Sequence, residues 1–303
     1  MIQKTAIIGM GALGLLYANQ IVMTDGTDGV FFAMDPERVR KYKDRIYTIN
    51  GAEKQFRICD YNEAEPVDLV IVAVKYGGLR SALDVIEPLV DEHTIIMSVM
   101  NGISSEDIIA ERFGDKHLIY TVAQAMDAMR FDTKLQYTKM GELRIGIRDE
   151  SQRSNLEEVM AYFDRIKMPY TNDPDITYRM WAKFMLNVGV NQTCHAFCTT
   201  YAGCLTEGSE ENQVFVAAMR EVVQLANLEG IALSEKDVKE YCQILATLDP
   251  DGVPSMRQDG IAKRKSEVEM FAGTVLAMAK KHGLETPANQ LLYDRILRIE
   301  SEY

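Results

Sequence analysis

The chain has no run approaching the roughly 20 uninterrupted apolar residues that a membrane-spanning helix needs, although 47% of its 303 residues are apolar. It has no biased tract, and its composition is that of an ordinary globular protein. It is short of basic residues: 33 Lys and Arg against 45 Asp and Glu give a net charge of −12. That charge repels nucleic acid and anionic membrane and argues against either as a partner. Its five cysteines are an odd number in a long chain, which argues against a disulfide framework. Cys194, His195, Cys198 and Cys204 cluster, but without the CxxC pair that zinc sites usually carry. Buried free thiols account for them better, and no metal is expected. The N-terminal stretch MIQKTAIIGMGALG is too short for a signal peptide and reads as a first strand, so the cytosol is the expected location.

What is present begins at that strand. Thr5–Gly9, TAIIG, runs straight into Gly9-Met10-Gly11-Ala12-Leu13-Gly14 and then into helical periodicity. Strand, glycine-rich turn and helix together read as a dinucleotide site, the alternative being a plain strand–helix turn with no ligand. Gly9 permits the tight turn, Gly11 lets backbone approach a pyrophosphate, and Gly14 lets the helix pack close to the sheet. The helix N-terminus offers free N–H groups and partial positive charge to phosphates. A second strand, Gly29–Met34, ends at Asp35, about 20 residues past the last glycine, where a carboxylate binds the ribose hydroxyls of NAD. Such a carboxylate repels the extra phosphate of NADP, yet Arg38, Arg40 and Lys41 follow and are able to pair with it. Pro36-Glu37 also makes Asp35 a plain helix cap. The residues leave NAD and NADP both open.

Val67–Val74 is nearly continuous in apolar residues, as expected of a central parallel strand buried on both faces. Lys75 sits at its carboxyl end, and Asn101-Gly102 follows the strand Thr94–Val99. Gly9, Asp35, Lys75 and Asn101 thus share the sheet edge at which doubly wound folds bind ligands. Asn50-Gly51 marks a hairpin within Ile46–Phe56. Further strands are expected at Leu118–Ala123, Gln136–Met140, Glu142–Ile147 and Pro169–Thr171, and a helix at Asn155–Ile166. The turn cluster Asn172-Asp173-Pro174-Asp175 sets a domain boundary: residues 1–172 are a Rossmann-type dinucleotide-binding domain and residues 173–303 an all-helical, substrate-binding and catalytic one. Helices are expected at Tyr178–Phe197, Asn212–Glu229, Glu235–Ala246, Gln258–His282 and Ala288–Ser301.

The first of these helices is apolar almost all round, yet Lys183, Asn187 and Asn191 recur at i, i+4, i+8 as one polar stripe. Burying such groups costs roughly 1–3 kcal/mol for an unpaired amide and more for the ammonium. The stripe reads either as a substrate-facing surface with Lys183 as proton donor, or as a snorkelling lysine with two backbone-capping amides. Ser255-Met256-Arg257-Gln258-Asp259 opens the long late helix, and Glu267 lies further along it. On spacing alone, Ser255 is a helix N-terminal residue and Glu267 a solvated carboxylate.

Five motifs in order carry a resemblance: GMGALG, Val74-Lys75, Asn101-Gly102, the WxKxxxNxxxN of Trp181, Lys183, Asn187 and Asn191, and SMxQD from Ser255 to Asp259 followed by Glu267. Together they resemble the ketopantoate reductase (2-dehydropantoate 2-reductase) family, from Gly9 to about Pro287. The resemblance implies reduction of the ketone of ketopantoate to pantoate with NADPH, a step toward pantothenate and coenzyme A. It implies catalytic roles for Lys183 and Glu267, and substrate contacts from Asn187, Asn191 and Ser255. Lys75 and Asn101 match family positions beside the cofactor and the reacting centre. Two positions depart from the family pattern. Met34-Asp35 stands where a basic residue usually binds the NADP phosphate, and Thr200–Gly203 lacks the further asparagine that contacts substrate in the best-known members.

The expected chemistry is hydride attack on a C2 ketone, with Lys183 donating a proton to the oxygen and stabilising its charge. Burial lowers a lysine pKa toward neutral, which suits a general acid. The expected partner is a small 2-oxo acid. Two alternatives are a reductase of another 2-oxo acid on the same fold and a non-enzymatic dinucleotide sensor. The helical domain is compatible with a homodimer, although no heptad pattern marks an interface.

Overall fold

A computed structural model describes residues 1–303. It comprises two compact units, Met1–Asn101 with Ser105–Ile176, and Gly102–Ser104 with Thr177–Tyr303. The first is α/β and the second is helical, the fold class that the sequence pattern predicts. The strands are β1 (Thr5–Ile8), β2 (Val30–Met34), β3 (Tyr47–Ile49), β4 (Ala52–Lys54), β5 (Ile58–Asp60), β6 (Leu69–Val72), β7 (Ile95–Ser98), β8 (Leu118–Gln124), β9 (Met129–Phe131), β10 (Lys134–Gln136), β11 (Glu142–Gly146) and β12 (Tyr170–Asn172). The helices of this unit are α1 (Ala12–Asp25), α2 (Pro36–Tyr42), α3 (Leu79–Ile86), α4 (Ser105–Phe113) and α5 (Arg153–Ile166).

Eight strands form one sheet in the order β12-β11-β8-β7-β6-β1-β2-β5. The six from β8 to β5 are parallel, and β11 turns back antiparallel to β8. The chain builds outward from β1 through β2 on one side and from β6 through β7 on the other. The order therefore reverses between β1 and β6, where open sheets leave a crevice at the strands' carboxyl ends. β6 reads LVIV, as a strand buried on both faces does. None of its four residues is more than 1% exposed, and burying each contributes on the order of 1.5–3 kcal/mol. A second, four-stranded sheet has the order β4-β3-β10-β9. Asn50-Gly51 closes its β3–β4 hairpin with both residues at positive φ.

In the second unit, α6 (Ile176–Ala196), α7 (Tyr201–Leu205), α8 (Glu210–Leu228), α9 (Glu235–Ala246), α10 (Ser255–Ile261), α11 (Thr274–His282) and α12 (Pro287–Glu300) follow one another with no strand. None of the helices is long and apolar enough to cross a membrane.

Two expected elements differ. The strand expected at Gln136–Met140 lies earlier, as β10. Beyond it Asp127 accepts from the backbone N–H groups of Thr138 and Lys139, at 2.9 and 2.7 Å, and holds that segment as a loop. The helix expected over Gln258–His282 is broken. α10 stops at Ile261, Lys263 adopts φ +49°, and Arg264 turns back to Asp259, Nε to Oδ1 at 2.8 Å. The backbone N–H of Ser266 is taken by Glu300 at 2.8 Å rather than by a helical carbonyl. Helix resumes through a wide, π-type turn at Glu269–Gly273.

One buried carboxyl in the first unit has no part in the crevice. Glu106, in the first turn of α4, is 1% exposed and accepts from Ser105 Oγ at 2.7 Å. Burial outweighs that bond and the Arg148 charge and pushes the carboxyl up to about 7. In the unfolded chain it ionises at its ordinary, lower value. Between the two, the folded state keeps a proton that the unfolded chain has lost, so stability falls as pH rises toward 7. Above that point both states are ionised and the whole cost of the buried charge remains, about 3 kcal/mol by linkage. Glu106→Gln is expected to abolish this slope, raising the urea midpoint at about pH 8 more than at about pH 5. Equal changes at the two pH values would contradict it.

Candidate active site

The glycine-rich turn is shaped by backbone meeting backbone. Gly9 has φ +106°, and a Cβ there would lie 2.5 Å from the Ala73 carbonyl oxygen at the end of β6. A Cβ at Gly14 would overlap the carbonyl oxygen of Gly9. Only glycine at both positions lets α1 start this close to the sheet. α1 has no acidic residue in its first turn, so nothing offsets the partial positive charge at its N-terminus. Ala12 and Leu13 form that turn, behind Met10 and Gly11.

A cavity of about 690 Å³ opens at the switch point, walled by Gly9, Met10 and Gly11 from the turn, Asp35 and Arg38 after β2, and Lys75 after β6. Its concave backbone, positive helix end and few convergent charged groups fit a dinucleotide. Asp35 is also the N-cap of α2. Its carboxylate accepts the Arg38 N–H at 2.9 Å and pairs with Arg38 Nε at 3.4 Å. Arg38 is thereby matched to Asp35 itself, while Arg40 and Lys41 are exposed and lie outside the cavity wall. Lys75 is exposed on its rim, and Asn101, half-buried, follows β7 at the same sheet edge without lining the cavity.

In the helical unit, Lys183 and Asn187 are half-buried on α6 and Asn191 is 5% exposed. The i, i+4 stripe runs one turn further than the sequence reading took it, to His195, which is fully buried. The His195 ring lies against Gly260 of α10, where any Cβ would overlap the imidazole. That close approach fixes the short helix that Ser255 begins, with the Ser255 side chain exposed. Glu267 does not share a helix with Ser255: it precedes the wide turn, and its carbonyl accepts from Met270 and Phe271 at 2.9 and 3.2 Å. Cys194 and Cys204 meet thiol to thiol at 3.5 Å in the interior, whereas Cys198 is exposed. No group of three or more His, Cys, Asp or Glu is arranged to hold a metal.

Two residues that the sequence reading passed over organise these surroundings. Gln192, fully buried, accepts the Ala272 N–H of the wide turn at 3.0 Å and donates to Asn289 Oδ1 at 3.1 Å. Asn289 donates in turn to Glu221 at 2.7 Å, and Glu221 also takes the Ala288 and Asn289 backbone N–H groups at the start of α12. Arg130, on β9, reaches back to the Met10 carbonyl and lines the cavity. A polar Gln192 inside an apolar helix was a visible signal of a buried network. Arg130 carried none, since its contact spans 120 residues of sequence.

Comparison with known proteins gives a consistent picture. A family model described as ketopantoate reductase PanE/ApbA matches residues 5–150, and its C-terminal counterpart matches residues 175–300. A 2-dehydropantoate 2-reductase of Lactococcus lactis is 26% identical over 309 residues, covering 94% of each chain. Among solved structures, a complex of D-mandelate dehydrogenase with NADH superposes with a TM-score of 0.86 at 22% identity, covering 99% of both chains. A dimeric ketopantoate reductase from Staphylococcus aureus gives 0.80 at 20% identity, with the same coverage.

The Gln192 tie is open to direct test. Gln192→Ala leaves the buried Ala272 N–H and the Asn289 Oδ1 without the partner that Gln192 provides, so it is expected to lower stability by roughly 2–4 kcal/mol. Urea unfolding measures this. A loss below about 0.5 kcal/mol, the level of an inert surface change, would mean that the network holds nothing.

Proposed function

We propose a function from one premise: this chain belongs to the ketopantoate reductase family. It is an NAD(P)-dependent oxidoreductase, and the reaction we assign is reduction of the 2-dehydropantoate ketone to the alcohol of pantoate, in the direction of pantothenate and coenzyme A. The observation that carries this reading is the Lys183–Asn187–Asn191 stripe on α6, three polar side chains in file on a helix otherwise walled by Trp181, Phe184, Met185 and Val188. A helix keeps such a stripe where a polar ligand must be held.

In this reading the first domain, residues 1–172, holds the dinucleotide, and the second, residues 173–303, holds the 2-oxo acid. A bound dihydronicotinamide supplies the hydride. Gly9 to Gly14 cradle the pyrophosphate, Lys75 and Asn101 stand beside the cofactor, and Asp35 takes the ribose hydroxyls. Because Asp35 is held in place by Arg38 and sets a negative charge where NADP carries its extra phosphate, NADH is the favoured cofactor. Lys183 protonates the ketone oxygen and stabilises the charge growing there, an interaction stronger in the transition state than in the ground state. Glu267 orients the ammonium. Asn187, Asn191 and Ser255 bind the substrate hydroxyl and carboxylate, which fixes the carbonyl for attack.

A second reading, reduction of another 2-oxo acid, is favoured by Thr200–Gly203. That segment lacks the asparagine that contacts substrate in the best-known family members. Nicotinamide absorbance decides between them: ketopantoate should be reduced rapidly with NADH and more slowly with NADPH. Oxidation only with other 2-oxo acids would establish the second reading.

Lys183→Ala is expected to cut kcat by about 10²–10⁴-fold with cofactor affinity retained; a loss of a few-fold would remove Lys183 from the chemistry. Asp35→Ala is expected to shift the kcat/KM ratio toward NADPH by roughly tenfold or more. An unchanged ratio would show that Asp35 serves only as the cap of α2.

A further inference from the structure

We propose that Arg130 is a phosphate-binding residue of the dinucleotide site, closing over the glycine-rich turn from the small second sheet. The proposal rests on the dinucleotide reading of the cavity given above and names a ligand contact within it. Arg130 is held in register on β9, opposite Leu135 of β10. Its Nε donates to the Asp132 carbonyl at 2.7 Å, and Nη1 donates to the carbonyl of Met10. Asp132 is itself paired with Arg45 at 3.6 Å. Tyr47, fully buried on β3, donates to the Met10 sulfur at 3.2 Å. The small sheet therefore grips the middle of the turn at two points, one of them a guanidinium lining the cavity.

The position matters because of what the turn already offers. Backbone N–H groups and the end of α1 supply only partial charge, whereas a dinucleotide's pyrophosphate carries two full negative charges. Of the cations lining the cavity, Arg38 is matched by Asp35 and Lys75 is exposed on the rim. Arg130 sits on the turn itself. An arginine has five N–H donors in a planar fork, and the Asp132 and Met10 carbonyls engage two. The remaining three, aimed from a fixed stem, suit the paired oxygens of a phosphate.

The test separates the phosphate contact from mere support of the turn. Binding of NADH and ADP-ribose is measured by titration calorimetry, and that of adenosine by ligand-observed NMR, for the wild type, Arg130→Met and Arg130→Lys. Arg130→Met is expected to weaken NADH and ADP-ribose by about 10–100-fold while leaving adenosine, which has no phosphate, within about twofold. Arg130→Lys, which keeps the charge but not the fork, should fall between, and it serves alone if the methionine variant does not fold. Equal weakening of all three ligands, or no weakening of NADH, would overturn the assignment. Failure of the wild type to bind either NADH or NADPH would instead overturn the dinucleotide reading, and this inference with it.

Discussion

The tightest constraint in the first unit is backbone against backbone. The turn after β1 passes so close to Ala73 that position 9 has no room for a side chain, and α1 begins so close to the turn that position 14 has none either. From this contact the other features follow. β1 and β6 pair in parallel with their ends level, the chain departs from β1 in one direction and from β6 in the other, and the crevice opens between them. The dipole of α1 is aimed at that crevice because the helix has nowhere else to start. Asp35, Lys75 and the turn then share one edge simply because parallel strands end on the same side.

The helical unit solves a comparable problem with side chains. A wide turn leaves backbone N–H groups displaced from their usual carbonyl partners, and in an apolar interior each must be satisfied. Gln192 satisfies the one at Ala272, and its amide is oriented by Asn289 and Glu221. α6, α8, α12 and the wide turn are thereby joined through three buried polar residues. Such a thread tolerates little substitution, because losing one member strands the others in low dielectric. Phe184 packs α6 against the same turn through Phe271, ring centroids 6.5 Å apart, and is itself flanked on α6 by Trp181 at 6.2 Å.

The fold was readable from the sequence where the determinants are local. TAIIGMGALG and VDLVIVAV carry strand, turn and burial within ten residues, and the Lys183–Asn187–Asn191 spacing declares a helical stripe by itself. The reading failed where a distant group decides. Gln136–Met140 alternates like a strand, but Asp127 takes its N–H groups first. Residues 262–266 have helical composition, yet Glu300, from the last helix, captures the Ser266 N–H and Lys263 turns left-handed. The same holds for the site. The turn glycines are legible because a dinucleotide turn needs them at fixed spacing, whereas Arg130 reaches Met10 only through a sheet assembled from separate stretches of chain. Ser255 and Glu267 enter the proposed site only through the resemblance of five short motifs, since spacing alone reads them as surface residues and the Ser255 side chain is exposed.

The small sheet has a consequence for how this chain acquires its structure. β3 and β10 pair in parallel, Thr48 opposite Lys134, across a stretch that contains the core strands β6, β7 and β8. A parallel pair cannot zip from a hairpin, and closing so long a loop costs entropy that only a formed core repays. The β3–β4 hairpin therefore waits for its partner until the chain has run through β10, well after the β1 turn has been made. Assembly of the cradle is then a two-stage event. The turn needs β6 beside it, because Gly9 rests against Ala73, and the layer that grips the turn needs the chain as far as β10, so the crevice and its cover depend on different lengths of chain.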